Sequence, residues 1–339
     1  MKEDISRFCE TLPSQQVLVV GDVMVDAYLW GDVTRISPEA PVPIVSVKRR
    51  EKRLGGAANV ASNIHSLGAT PIICSVLGND DAARDFMQIM YAHNMDRRGI
   101  ILSDQRKSTV KSRVIGNNMH IVRVDEEETH SLSADEEEQL LDRIRRILKQ
   151  LPISAIVFQD YDKGNITQRV IDEVVDMARR KRIITTVDPK HRNFASFHDV
   201  NLFKPNLKEL REGLNLDFET DPANADQLME ELNQASTMLH ERQKIETVMI
   251  TLSSMGVYVR NFATPEVPPM IIPAQRRSVS DVSGAGDTVI SVATLALSAG
   301  LAMPDVVAVA NLAGGIVCEQ VGVVPIDKER LFAELNKIY

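Results

Sequence analysis

The stretch DVSGAGDTVI (281–290) sets Gly284, Ala285 and Gly286, which carry almost no side chain, directly before the carboxylate of Asp287. An apolar face at helical spacing follows and ends at Gly300, so the stretch reads as a small-residue loop that opens a helix. Backbone amides at a helix start, backed by the helix dipole, make an anion site, and here an acid stands at its mouth. The same residues also suit a tight turn with a capping aspartate.

Three further groups of residues invite a chemical reading. In VVGDVMVD (19–26), Asp22 and Asp26 follow a buried strand and suit hydroxyl recognition, because a carboxylate accepts hydrogen bonds from a polyol; the alternative is a pair of loop caps. In LGGAANVASN (54–63), Gly55 and Gly56 permit close backbone approach and Asn59 sits one turn into the helix they open, unless the glycines serve only tight packing. Basic residues stand near several strand ends: Lys163 in DYDKG (160–164), and Lys190 and Arg192 in VDPKHR (187–192). Together they suggest an anionic substrate, although singly each suits a solvated surface. Asn206 and Glu209 in KPNLKEL (204–210) have the oxygen donors that hold a hydrated Mg²⁺.

These groups need a scaffold. Strand patterns at 16–20, 70–78, 154–160, 182–188, 200–206 and 247–260 alternate with helical patterns. One helix covers 58–68, another starts at Asp81, and a third runs over 133–150 with Ser133 and Glu136 as its capping box. Alternation of this kind implies an α/β fold with a mostly parallel sheet covered on both faces. The strands end at Gly21-Asp22, Gly78-Asn79, Asp160, Asp188-Pro189, Pro205-Asn206 and Thr251, so polar groups gather at the carboxyl edge, where open α/β sheets bind ligands. Residues 28–50 and 108–125 break the rhythm; the second reads as a hairpin with Gly-Asn-Asn at its turn. Both predict a small satellite sheet, either covering the active edge or serving packing and dimerisation.

Other chemistries are excluded by what the chain lacks. A net charge of −8 over 339 residues argues against broad nucleic-acid binding, and no apolar run reaches membrane-spanning length. The amino terminus does not read as a signal peptide, and Cys9, Cys74 and Cys318 are scattered, which together predict a cytoplasmic protein with reduced thiols. There is no GxxxxGK[ST], no early GxGxxG, no GxSxG elbow, no HExxH and no CxxC.

The order and separation of Gly-Gly-Ala-Ala-Asn near the start and Asp-x-x-Gly-Ala-Gly-Asp near the end resemble the two signatures of the ribokinase-like (PfkB-type) carbohydrate kinases, and the resemblance covers essentially the whole chain. Within that family GDVMVD, TRISPEAPVPIV (34–45), DDAAR (80–84) and DYDKG look most like the heptose 7-phosphate kinases, RISPEAPVP being the longest match. The resemblance implies one kinase domain over 1–339, a three-layer α/β/α sandwich with a β-sheet lid, and transfer of the γ-phosphoryl group of ATP, with Mg²⁺, to the anomeric hydroxyl of D-glycero-D-manno-heptose 7-phosphate.

Carried over residue by residue, it makes Asp287 the catalytic base and the amides of Ser283 to Gly286 the anion hole. Asp26, Gly55, Gly56 and Asn59 become sugar contacts, and Asn206 and Glu209 lie near Mg²⁺ and the ATP phosphates. Thr251, Ser253 and Gly256 fall at the nucleotide turn, with Asn311 beside the adenine. Lys111, Arg113, Arg123, Lys163, Lys190 and Arg192 are the candidates for the substrate phosphate. It also implies a homodimer through the lid and leaves monovalent-cation activation open. The sequence ends at Tyr339 without a nucleotidyltransferase half, so a separate enzyme is expected to supply that step. Three features depart from the pattern: TLSSMG (251–256) lacks the basic or acidic residue expected after its threonine, Ser283 stands where threonine is common, and HRNF after DPK leaves Arg192 without a clear role. The nearest alternative is another sugar or sugar-phosphate kinase of the same family, from which only the lid and RISPEAPVP separate this reading. From another class comes a sugar-binding regulator on the same scaffold, and the retained base beside an anion hole argues against it.

Overall fold

The computed structural model describes residues 2–117, 119–216 and 225–338. Among them thirteen strands form two sheets. In chain order these are β1 (Gln16–Gly21), β2 (Val23–Ile36), β3 (Pro43–Gly56), β4 (Thr70–Gly78), β5 (Ile100–Ser103), β6 (Thr109–Gly116) and β7 (Met119–Glu126). Then come β8 (Ala155–Gln159), β9 (Ile184–Asp188), β10 (Leu202–Phe203), β11 (Thr247–Thr251), β12 (Val257–Asn261) and β13 (Met270–Ile272). The large sheet has the order β13-β12-β11-β10-β9-β8-β1-β4-β5, parallel except at β11-β12-β13.

Strand β1 shows why this sheet is buried on both faces. Val17 and Val19 join one hydrophobic core, with the helices Ala57–Ser66, Ala285–Ser298 and Met303–Val317, while Leu18 and Val20 join the other, with Ala134–Gln150, Gln168–Lys181 and Ala225–Gln243. Alternate side chains point to opposite faces, so a run of consecutive valines and leucines feeds both cores at once. The sheet is the middle layer of an α/β/α sandwich.

Strand order grows in one direction from β1 through β4 to β5 and in the other from β8 through β9 to β11. The reversal lies between β1 and β8, whose carboxyl ends therefore flank the crevice expected to bind a ligand. The small sheet rises from that crevice. Strand β2 begins two residues after β1 ends and pairs antiparallel with β3 from Val23↔Gly56 to Ile36↔Pro43, and parallel with β6; β6 pairs antiparallel with β7. The expected lid is thus longer than residues 28–50, because its strands run down into the crevice and include Asp26, Gly55 and Gly56 as strand residues. The segment SPEAPV forms the far turn of the β2-β3 hairpin, closed by Ser37 N–H donating to Val42 O at 2.9 Å.

Other expectations change in detail. The run 247–260 is not one strand but an antiparallel pair, reversed by a short 3₁₀ turn at Ser253–Met255. The run 200–206 keeps only two strand residues, since Pro205 ends it. The chain leaves β6 at Gly116 and turns at Asn117, as expected; the third expected turn residue, Asn118, lies outside the described residues. The capping box of Ser133 and Glu136 forms as read.

Candidate active site

Gly284 caps the helix Ala285–Ser298 with φ +81°, a left-handed conformation that side chains resist, and a Cβ there would come within 2.9 Å of Asn59 Nδ2. With no side chain at the cap, the first-turn amides of Gly286 and Asp287 receive no side-chain oxygen. Two neighbouring amides do have acceptors: Ser283 N–H donates to Asp281 Oδ1 at 2.9 Å and Ala285 N–H to Val282 O at 3.3 Å. Of the four amides expected to form the anion hole this leaves Gly284 and Gly286, with Asp287 N–H beside them in the first turn. The helix itself is fixed by buried hydroxyls: Thr288 donates to Asn63 Oδ1 at 3.0 Å, Ser291 donates to Val60 O at 3.1 Å, and Thr294 pairs with Thr186 on β9 at 2.7 Å.

Asp287 is 5% exposed and accepts three hydrogen bonds. Asn59 Nδ2 donates to Oδ2 at 2.7 Å, and Gln159 Nε2 and the Tyr161 hydroxyl donate to Oδ1 at 3.1 and 2.6 Å. Burial raises its pKa to about 6, opposed by the bonds from Tyr161 and Asn59 and by Lys204, and reinforced by Asp188. Beneath the loop Lys204 Nζ meets Asp188 Oδ2 at 2.9 Å, and Gln159 Nε2 reaches the same oxygen at 3.3 Å. A buried carboxylate with neutral donors and a pKa near 6 suits proton abstraction near neutral pH.

Gln159, Tyr161 and Lys204 were not singled out from the sequence, and Asp188 was marked only as one of the polar strand ends. Residues 159 and 161 flank Asp160, whose carboxylate drew attention instead, and period-two alternation would have sent the flanking pair to the other side. Asp160 turns away and accepts from Asn193 Nδ2 at 2.9 Å, with its pKa raised by burial and by Asp22.

The crevice contains a cavity of about 210 Å³ lined by Asp287, Ser283, Gly284, Tyr161, Asp26, Gly56 and, from the lid, Lys111, Arg113 and Arg123. Asp26 is paired there with Arg113. A Cβ at Gly55 would strike Asp26 Oδ2, which explains the first glycine of that pair. Asn59 reaches the base, not open cavity. Asp22, read with Asp26 as a hydroxyl binder, is instead fully buried and accepts from the amides of Tyr161, Lys163 and Asn165 at 2.9, 3.1 and 2.9 Å. It pins the 161–165 turn.

The proposed phosphate-binding cations divide. Lys111 meets Asp125 Oδ2 at 2.9 Å and Glu127 Oε2 at 3.0 Å, and Arg123 meets Asp125 Oδ1 at 3.0 Å. Lys163 also reaches Glu127, at 2.9 Å, but does not line the cavity. Lys190 pairs with Glu209 and lies 5.7 Å from the centre of the Tyr161 ring. Arg192 donates to Thr129 O at 2.6 Å, away from the cavity lining.

A second group lies along the edge from β11 to β13. Asn206 and Glu209 cap the helix Leu207–Leu214 reciprocally: Glu209 N–H donates to Asn206 Oδ1 at 2.9 Å and Asn206 N–H to Glu209 Oε2 at 2.8 Å. Asn206 also bridges to Thr251, which ends β11. Ser253 and Gly256 take positive φ in the following turn, and a Cβ on Gly256 would strike Ile272 O. Asn311 Nδ2 donates to Pro273 O at 2.9 Å, so the helix Met303–Val317 joins the same edge. No group of three or more potential metal ligands occurs among the described residues. Glu209, already capped and paired with Lys190, fits a magnesium ion only through water.

Comparison with known proteins gives the family. Residues 14–329 match the family described as pfkB family carbohydrate kinase. The bifunctional protein HldE of Methylobacillus flagellatus is 37% identical over 94% of this chain and 63% of its own length, and that of Helicobacter pylori strain G27 is 34% identical over 96% and 67%. The Wolinella succinogenes protein of the same name is 36% identical, with 90% and 61% covered, so the chain spans about three fifths of these relatives. Among solved structures, Escherichia coli phosphofructokinase-2 in complex with fructose-6-phosphate superposes with a TM-score of 0.74 at 16% identity, covering 95% of this chain and 99% of that one. Arabidopsis thaliana ribokinase with ribose and ATP gives 0.67 at 16% identity, covering 95% and 98%. The fold is ribokinase-like, and no helix among the described residues is long and apolar enough to cross a membrane. The chain belongs to the pfkB family of carbohydrate kinases, phosphotransferases with an alcohol group as acceptor.

Proposed function

We propose that the chain transfers the γ-phosphoryl group of ATP to the anomeric hydroxyl of a heptose 7-phosphate, giving the 1,7-bisphosphate. The observation that carries this reading is the shared cavity: a buried acid and three lid cations, Lys111, Arg113 and Arg123, face one space of about 210 Å³. An acceptor with a hydroxyl at one end and a phosphate at the other matches those two walls. The likeness of TRISPEAPVPIV to heptose 7-phosphate kinases, and the similarity to proteins named HldE, support a heptose as the sugar.

In this reading Asp287 takes the proton of the attacking hydroxyl, and the amides of Gly284, Gly286 and Asp287 with the helix dipole stabilise charge on the transferring group. Asp26 accepts from a sugar hydroxyl and gives up part of its pairing with Arg113. The nucleotide lies along the edge from Asn206 to Gly256, with Asn311 beside the adenine. Magnesium bound with the ATP phosphates would neutralise their charge and meet Glu209 through water. Closure of the lid excludes water and suppresses ATP hydrolysis. Val122 and Val124, 48% and 51% exposed, share the face of β7 opposite Arg123, and this apolar outer face supports pairing of two lids in a homodimer.

ADP release with Mg-ATP, measured against heptose 7-phosphate, fructose 6-phosphate, ribose, fructose and no sugar, tests the reading. Release with the heptose phosphate alone is expected. Release with a neutral sugar only would discard the phosphate clamp, and sugar binding without any release would favour a regulator.

A further inference from the structure

Tyr161 is held as firmly as the base it touches. Its amide donates to Asp22 Oδ2 at 2.9 Å, and Asp22 is itself anchored by the amides of Lys163 and Asn165. Its ring lies beneath the Lys190 ammonium at 5.7 Å, on the side of the Lys190–Glu209 pair. From that fixed place the phenol reaches Asp287 Oδ1 at 2.6 Å, the shortest of the three bonds to this carboxylate. Gln159, the other donor to Oδ1, divides its amide between Asp287 and Asp188.

The charged or titratable groups around Asp287 are Tyr161, Asp188, Lys204 and Lys190 from the sheet edge, with Asp26, Lys111, Arg113 and Arg123 from the lid. Among the described residues Tyr161 alone of these donates a hydrogen bond to the carboxylate.

We propose that Tyr161 is a positioning residue for the phosphoryl transfer: its hydroxyl fixes Asp287 in the orientation that faces the acceptor and keeps that carboxylate ionised. The proposal rests on the reading of Asp287 as the base. A hydrogen bond donated to a carboxylate favours its charged form, so removing the donor shifts the balance toward the protonated acid. Tyr161→Phe removes one oxygen and leaves the ring against Lys190, which separates this role from mere packing.

The decisive experiment is a carboxyl ¹³C titration of the whole, ligand-free protein, wild type against Tyr161→Phe, with Asp287→Asn identifying the resonance. The Asp287 midpoint, about 6 in the wild type, is expected to rise by about one unit in the phenylalanine variant. The acid limb of kcat/KM should move with it, so that activity near pH 6 falls about fivefold and recovers at higher pH, with KM for ATP unchanged. An Asp287 midpoint that stays in place or falls would overturn the proposal. The titration needs no substrate, so it tests the bond from Tyr161 even where the sugar panel rejects the kinase reading.

Discussion

The sheet edge and the lid hold their charges in opposite ways. At the sheet edge Asp287 is 5% exposed and bound by three neutral donors, and the Lys204–Asp188 pair beneath it is 3% and 7% exposed. In the lid, the Arg113–Asp26 pair at its base is only 13% and 4% exposed, but farther out Lys111, Asp125 and Glu127 are 15%, 24% and 26% exposed, and Arg123 is 58% exposed. Partial burial raises the pKa of Asp125 and Glu127, but Lys111 with Arg123, and Lys163 with Lys111, outweigh it and hold both acids below the usual range. Ion pairs this open are worth at most about 1 kcal/mol each, so an incoming anion can replace the acid partner at small cost. The buried groups cannot be exchanged so cheaply. On the proposed function, this difference fits chemistry at the rigid edge and acceptor recognition in the lid.

The sharpest way to break that division is Asp287→Asn. It should lower kcat by about 10³-fold or more while dissociation constants for ATP and sugar change only a few-fold, read by single-turnover kinetics and calorimetry. The wild-type kcat/KM should fall as pH drops below about 6, because Asp287 must be ionised to accept a proton. Near-normal turnover in the variant would remove Asp287 from the base role.

Asp22→Ala attacks the edge through its support. Three amides lose their acceptor, and unfolding in urea should show a loss of about 3 kcal/mol, reduced somewhat because Asp160 is relieved of a neighbouring charge. A lid substitution should leave stability nearly unchanged. Glu127→Gln frees Lys111 and Lys163 from a shared acid and should lower KM for a phosphorylated acceptor about two- to threefold with kcat unaltered. A raised KM would show that Glu127 orients these lysines instead of competing for them. Smallest in its catalytic effect is Val122→Glu with Val124→Lys, expected to shift the protein toward monomer in sedimentation while changing kcat less than about twofold in the monomer. An unchanged oligomer would move the interface off this face.

The layers and the crevice were legible because their signals are periodic. Buried strands, helix caps and polar strand ends mark the sheet and its carboxyl edge, and the Gly-Ala-Gly-Asp run marks the helix start. Asp22 and Asp26 show where legibility stops: two acids four residues apart look alike in sequence, yet one lies on a turn's amides and the other in the cavity. Their difference comes from β2, which begins between them and carries Asp26 up into the lid. Tyr161 and Gln159 were hidden for a related reason. Their partner lies more than a hundred residues away, and only the switch between β1 and β8 brings them to it.

If lid cations hold an anionic acceptor over a base on the sheet edge, their removal must erase the preference for a phosphorylated sugar. The quantity to measure is the ratio of kcat/KM for heptose 7-phosphate to that for the same heptose without phosphate. It is compared between the wild type and the Lys111→Ala, Arg123→Ala double variant. The ratio should fall about a hundredfold, through KM for the phosphorylated sugar, with the unphosphorylated sugar unaffected. A ratio that survives both substitutions would contradict recognition by the lid.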